Sequence, residues 1–249
     1  MKKAVWSKAF LAVAFILLIL IGGIALAQKK HADINQTQNK ASNTGTSSKA
    51  DSENKTISTN NANNVKGTNS TSTKIYNSDN NNLQTAQKQL QDKYEKGYNA
   101  FFKGDYKTAI KLENEVIHES PDFYKAYNLK GIALCYSGDF KNGMANIDKS
   151  LSMKSDFGYA LFNKGLAYEL YGYYDNALLW YNKDLQVENY VWTYYGISSI
   201  YGRRGDVSNT IKYLKIAISL NPGIKEMAKT EKDFNNVKNY DEFQSLIKS

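Results

Sequence analysis

Hydrophobic and polar positions are arranged in three ways along this chain, and each arrangement predicts a different kind of structure. From Ala9 to Ala27 there is no alternation: nineteen residues (AFLAVAFILLILIGGIALA) carry no formal charge, with Lys2, Lys3 and Lys8 before them and Lys29 and Lys30 after. As a helix this run would be roughly 28 Å long, close to the hydrocarbon core of a bilayer at about 30 Å. It reads as a membrane anchor. The alternative reading is a leader peptide, with Gly22-Gly23 weakening the helix and an A-x-A cleavage site at Ala25 and Ala27. On either reading the leading lysines favour a cytoplasmic N-terminus, so the chain after Ala27 is expected outside, at the cell envelope or secreted.

Residues 31–82 are Asn, Ser, Thr, Lys and Gly with almost nothing apolar. Such a stretch cannot bury enough surface to offset its chain entropy, and it is expected to be a disordered linker following the export segment 1–30.

After Asn82 aromatic and aliphatic residues return at helical spacing, and with them an internal period. Gly104, Gly138, Gly172 and Gly205 are 34, 34 and 33 residues apart, and Pro121 and Pro222 repeat the same total of 101. Each of these glycines stands where a helix must end in a left-handed residue. Asp105, Asp139 and Asp206 follow at once and are suited to cap the next helix; the third unit has Tyr173 there instead. Seven residues before the turns lies a second series, Gly97, Gly131, Gly165 and Ser198. Glycine inside a helix costs roughly 0.5–1 kcal/mol relative to alanine, so a close helix approach is expected there. The expected partners are the small residues Ala109, Gly143, Ala177 and Thr210 of the second helices. The aromatics Tyr106, Phe140 and Tyr174, with Val207 in the fourth unit, are expected to wedge the helices where they meet.

Charge alters this picture little. The chain carries a formal +8, but residues 1–30 hold five lysines and no acid, and 31–82 hold five lysines against four acids, which leaves +2 for 83–249. The folded part is nearly neutral, so a basic face for nucleic acid is not expected. Cys135 is the only cysteine, which excludes an intramolecular disulfide and, far from Ala27, a lipidated N-terminal cysteine.

These residues resemble the tetratricopeptide repeat family, whose helix-turn-helix unit is about 34 residues long. The units fall at 90–123, 124–157, 158–190 and 191–224. The first matches at Gly97, Gly104, Tyr106, Ala109 and Pro121, and the second at Gly131, Gly138, Phe140 and Gly143. The third matches at Gly165, Tyr168, Gly172, Tyr174 and Ala177 but is one residue short; the fourth matches at Ser198, Tyr201, Gly205, Ala217 and Pro222. The tail 225–249 looks like the capping half-repeat of such arrays, with Phe234, Val237, Phe243, Leu246 and Ile247 covering the last unit. The resemblance implies an all-α right-handed solenoid with a concave face lined by the first helices.

Carried onto this chain, that face is aromatic: Tyr94, Tyr98, Phe101 and Phe102, then Asn128 and Tyr136, then Tyr159 and Phe162, then Trp192 and Tyr195. It implies a groove for a peptide or partner helix. The basic clamp by which the chaperone-binding subgroup holds a terminal carboxylate is absent, since its positions are occupied by Tyr94, Tyr98, Leu129, Tyr159 and Asn163. No catalytic, metal or cofactor constellation emerges: His31 falls in the linker, His118 near a helix end, and Cys135 on a first helix without a histidine in its repeat. The expectation is a non-enzymatic scaffold for a protein or peptide partner at the extracytoplasmic side of the envelope. The alternative is an envelope protein that contacts wall carbohydrate through its tyrosines.

Overall fold

The computed structural model describes residues 69–248, with side chains from Gln84. The apolar run 9–27 and residues 31–68 of the polar stretch lie outside them. Among the described residues no helix is long and apolar enough to cross a membrane. The chain divides into two units, Met1–Gln89 and Leu90–Ser249; in the first, the described residues 69–89 are helical.

The second unit is helical throughout. Helix α1 (Asn69–Phe102) is followed by α2 (Tyr106–Glu119), α3 (Tyr124–Tyr136), α4 (Phe140–Met153), α5 (Gly158–Leu170), α6 (Tyr174–Asp184), α7 (Val191–Arg204) and α8 (Val207–Leu220). A short α9 (Ile224–Thr230), a 3-10 turn (Lys232–Phe234) and α10 (Asp241–Lys248) close the array. Helix α1 begins at Asn69, inside the stretch read as linker. Helix growth is cooperative: once burial of Tyr94, Phe101 and Phe102 has formed the costly nucleus, each added residue brings its own hydrogen bond.

The four turns are built alike. Gly104, Gly138, Gly172 and Gly205 have φ of 78°, 96°, 81° and 74°, the left-handed region that favours glycine. The following amide reaches back across each turn: Asp105 N to Ala100 O at 3.0 Å, Asp139 N to Leu134 O at 2.9 Å, Tyr173 N to Tyr168 O at 2.9 Å and Asp206 N to Tyr201 O at 3.0 Å. Asp105, Asp139 and Asp206 then accept from the amides of Thr108, Asn142 and Asn209 at 3.0, 3.2 and 3.0 Å. Hydrogen bonds from those same three residues hold the carboxyls below the usual carboxylate range. Tyr173 makes no side-chain cap, and it is exposed.

The aromatics that follow the turns tie each repeat to the next. Tyr106 meets Tyr136 at 5.3 Å between ring centroids, Phe140 meets Tyr168 and Tyr171 at 5.8 and 4.6 Å, and Tyr174 lies under the Arg203 guanidinium at 5.6 Å. Of the three repeats with a glycine at this place, one makes the expected small-on-small helix contact. A Cβ on Gly131 would lie 2.7 Å from the Gly143 carbonyl oxygen, and one on Gly143 would lie 2.7 Å from that of Gly131. In the first and third repeats the glycine instead admits a large side chain four residues beyond the small one: Glu113 against Gly97, and the Tyr181 ring against Gly165. Ala109 and Ala177 are buried but are not the groups these glycines face.

The last helix pair is covered by the tail. Phe234, Val237, Phe243 and Ile247 are buried with Leu214, Ile218 and Tyr195, and Leu246 packs at the edge of the cluster. Gly202 makes room for this cap, since a Cβ there would lie 2.6 Å from Phe234 Cδ1 and 2.9 Å from Asp233 O. Arg203 pairs with Asp233 at 2.6 Å, and the Asn236 side chain donates to Arg203 O at 2.7 Å. Phe234→Ala is therefore expected to cost about 3 kcal/mol and to deprotect α7 in hydrogen exchange while sparing α3 and α4. Equal loss of protection in all helices would show that the cap does not act locally.

Candidate functional site

The first helices of successive repeats pack on one another, α3 on α5 and α5 on α7, so their inner faces form one surface. Of the ten residues predicted to line it, six are buried: Tyr94, Phe101, Phe102, Asn128, Phe162 and Tyr195. They act as core and as spacers between repeats. Tyr94 packs on Phe123 at 5.4 Å, Phe101 on Tyr136 at 5.5 Å, Phe162 on Tyr190 at 5.0 Å and Tyr195 on the cap residue Phe234 at 5.9 Å. Asn128 accepts a hydrogen bond from Asn163 at 3.2 Å, which fixes α3 against α5. Burial is the correction to the sequence reading: an inward register on a first helix does not leave a residue open when a ring from the far end of its own repeat, from the next repeat or from the cap comes down on it.

Tyr98, Tyr136, Tyr159 and Trp192 remain half-exposed. The phenol of Tyr98 in the first repeat lies close to that of Tyr159 in the third, passing over the second. Tyr159 stands edge-on to Tyr190 at 6.4 Å and stacks beside Phe162 at 6.3 Å. The groove is thus partly filled by its own tyrosines. Burial, the largest cause in each case, pushes the phenols of Tyr98, Tyr136, Tyr159 and Tyr190 above their ordinary value. These four tyrosines consequently present neutral rings and hydroxyls.

Deeper on the same side, the Tyr181 hydroxyl donates to Glu169 Oε2 at 2.7 Å and the Ser199 hydroxyl to Glu169 Oε1 at 3.0 Å. The Tyr181 ring sits between two glycines, because a Cβ on Gly165 or Gly196 would come within 2.5 or 2.8 Å of it. These contacts join the third repeat to the fourth and occupy Glu169 structurally.

Two buried acids were not singled out from the sequence. Glu113 and Asp184 are both fully enclosed. The available signal was an acid standing in a repeat position that the other units fill with apolar or small residues, which periodicity alone treats as noise. An outward aromatic group was also missed: Tyr171 and Tyr173, 36% and 53% exposed, lie 4.6 and 5.7 Å from Phe140.

Reactive groups are not brought together. His118 is exposed on the outer face of α2, and burial pushes the Cys135 thiol up to about 12, leaving it a neutral core group. Among the described residues no three His, Cys, Asp or Glu side chains are placed to share a metal ion.

No protein-family model matches the sequence, and no curated protein matches it. The fold is similar to that of solved structures. One is TTC0263, a thermophilic TPR protein of Thermus thermophilus, with a TM-score of 0.54 and 17% identity over 63% of this chain and 87% of that one. Another is PilW, a widely conserved type IV pilus biogenesis factor, with a TM-score of 0.50 and 17% identity over 64% of this chain and 78% of that one. At this identity the likeness establishes a fold and no more: an all-helical array of tetratricopeptide-like helix-turn-helix repeats.

Proposed function

We propose that this protein is a non-enzymatic scaffold that binds a protein segment on the inner face of its first helices. Its N-terminal apolar run would hold it at the extracytoplasmic side of the membrane, or release it there if cleaved near Ala27. The observation that carries the reading is the half-exposed row Tyr98, Tyr136, Tyr159 and Trp192, backed by buried rings that fix each one in place. Fixed aromatic rings offer large contact area with little entropy left to lose. Their neutrality suits an uncharged or amphipathic segment better than an acidic tail.

Tyr159→Ala and Trp192→Ala together are expected to reduce crosslinked partner recovered from envelope extracts at least tenfold, with a melting temperature near that of the wild type. Undiminished recovery from a folded double variant would place binding elsewhere. Intact mass of the native protein decides whether residues 1–27 are retained.

A second reading, contact with wall carbohydrate, is favoured by the exposed rings of Tyr171 and Tyr173 beside Phe140. It predicts that Tyr173→Ala, and not the inner-face variant, weakens adsorption to protein-free wall material.

A further inference from the structure

The third repeat departs from the others at its far end. Its second helix, α6, has 11 residues where α2, α4 and α8 each have 14. It stops at Asp184, which stands in the series Val116, Ser150, Asp184 and Ala217, all fully buried at the same place in the four repeats. Three of these are small or apolar. The fourth is a carboxylic acid, at a point where burying a charge is costly unless it is paired.

What surrounds Asp184 explains how it is tolerated. One carboxyl oxygen accepts a hydrogen bond from the Thr193 hydroxyl of α7, and the other, Oδ1, is buried without a partner. The chain then turns tightly, with the amides of Val187 and Glu188 donating to Asp184 O at 2.8 and 2.9 Å. That turn brings the Glu188 carboxyl back beside Asp184 and sets it against Gly158, at the start of α5. A Cβ on Gly158 would collide with it. The other titratable groups facing Asp184 are the phenols of Tyr181 on α6 and Tyr190 ahead of α7. None of these neighbours is a cation, so ionisation of Asp184 has nothing to offset it.

We propose that Asp184 and Glu188 form a proton-operated latch between the third and fourth repeats. With the Asp184 carboxyl protonated, α7 is tied to the end of α6 through Thr193. Loss of that proton places a negative charge on the enclosed Asp184 carboxyl, beside the acid Glu188, and loosens residues 185–193.

Burial, opposed by the Thr193 hydrogen bond and reinforced by Glu188, pushes Asp184 up to about 7 from an ordinary value of 3.8. The sign follows. Between those two values the folded chain holds a proton that the opened chain has lost, so closure weakens as pH rises through that window and levels off above about 7. Acid tightens the latch. Near neutrality it is poised, and the segment it releases leads directly into Trp192 and Tyr195 on α7.

Hydrogen exchange of the full chain, measured from about pH 5 to about pH 8 and corrected for the intrinsic rate, tests this. Protection of residues 185–193 is expected to fall by about tenfold per pH unit and to level off near 7. Asp184→Asn, which keeps an oxygen for Thr193, is expected to abolish the dependence, and Asp184→Ala, the residue of the fourth repeat at this place, to do the same. Glu188→Gln is expected to shift the levelling point to lower pH. A pH dependence that survives in Asp184→Asn overturns the proposal. So does a wild-type profile that is flat over this range, a result that stands even if a variant fails to fold.

Discussion

Leucine at Gly131 is expected to cost the repeat domain on the order of 3 kcal/mol or more, a fall in melting temperature of about 10 °C for a unit of this size. The reason is the identity of the atoms in the way. A Cβ at this position would lie 2.7 Å from the Gly143 carbonyl oxygen and 2.9 Å from Ile147 N, both backbone, besides 2.7 Å from Ile147 Cγ1. A side chain can rotate aside, whereas the backbone of α4 can move only if the helix moves. Gly104→Ala is the control. Nothing lies within 4 Å of its Cβ position, so its cost is only that of a left-handed alanine, about 1 kcal/mol. If the two variants melted alike, close approach would not be what Gly131 provides.

The second large effect runs in the opposite direction. Glu113 is fully buried between α1 and α2 with neither carboxyl oxygen partnered, and the same place holds Ile147, Tyr181 and Leu214 in the later repeats. Glu113→Leu is expected to raise stability at pH 7 by about 2 kcal/mol, because it removes a polar group that has lost its water without gaining a partner. Burial pushes the Glu113 carboxyl up to about 9 from 4.5. Between those values the folded state keeps a proton that the unfolded chain lacks, so wild-type stability falls as pH rises toward 9 and is flat beyond. The interval from about pH 7 to about pH 9 isolates this group, since the contribution of Asp184 has levelled off by then. Glu113→Gln should erase the slope there without the full gain of leucine. A slope of the melting temperature that persisted in Glu113→Gln would assign it to another group.

The two acids show why part of the candidate site escaped the sequence reading. Periodicity identifies repeat positions, and it did not single out Glu113 or Asp184. What each would meet there depends on the partner helix: Gly97 opposite one, Thr193 and the returning Glu188 opposite the other. The same limit applies to the inner face. Tyr94, Phe101, Phe102, Phe162 and Tyr195 point inward as their register requires, yet Phe123 and Tyr190 from the far end of the same repeat, Tyr136 from the next repeat and Phe234 from the cap pack against them. How far a ring is covered depends on such distant residues, which the register of its own helix does not encode.

The turns are the contrasting case. Gly104, Gly138, Gly172 and Gly205 with Asp105, Asp139 and Asp206 were legible in full, because a left-handed residue and a capped helix start are decided within five or six residues of backbone. Helix identity, repeat length and the closing tail follow from equally local chemistry, and the sequence by itself determined them. The tertiary structure alone decided which glycine admits a carbonyl, a carboxyl or a tyrosine, and which inner-face rings stay open to a partner. Those outcomes depend on contacts between residues of different helices, about a dozen to about forty positions apart, whose distances are set only when the helices have packed.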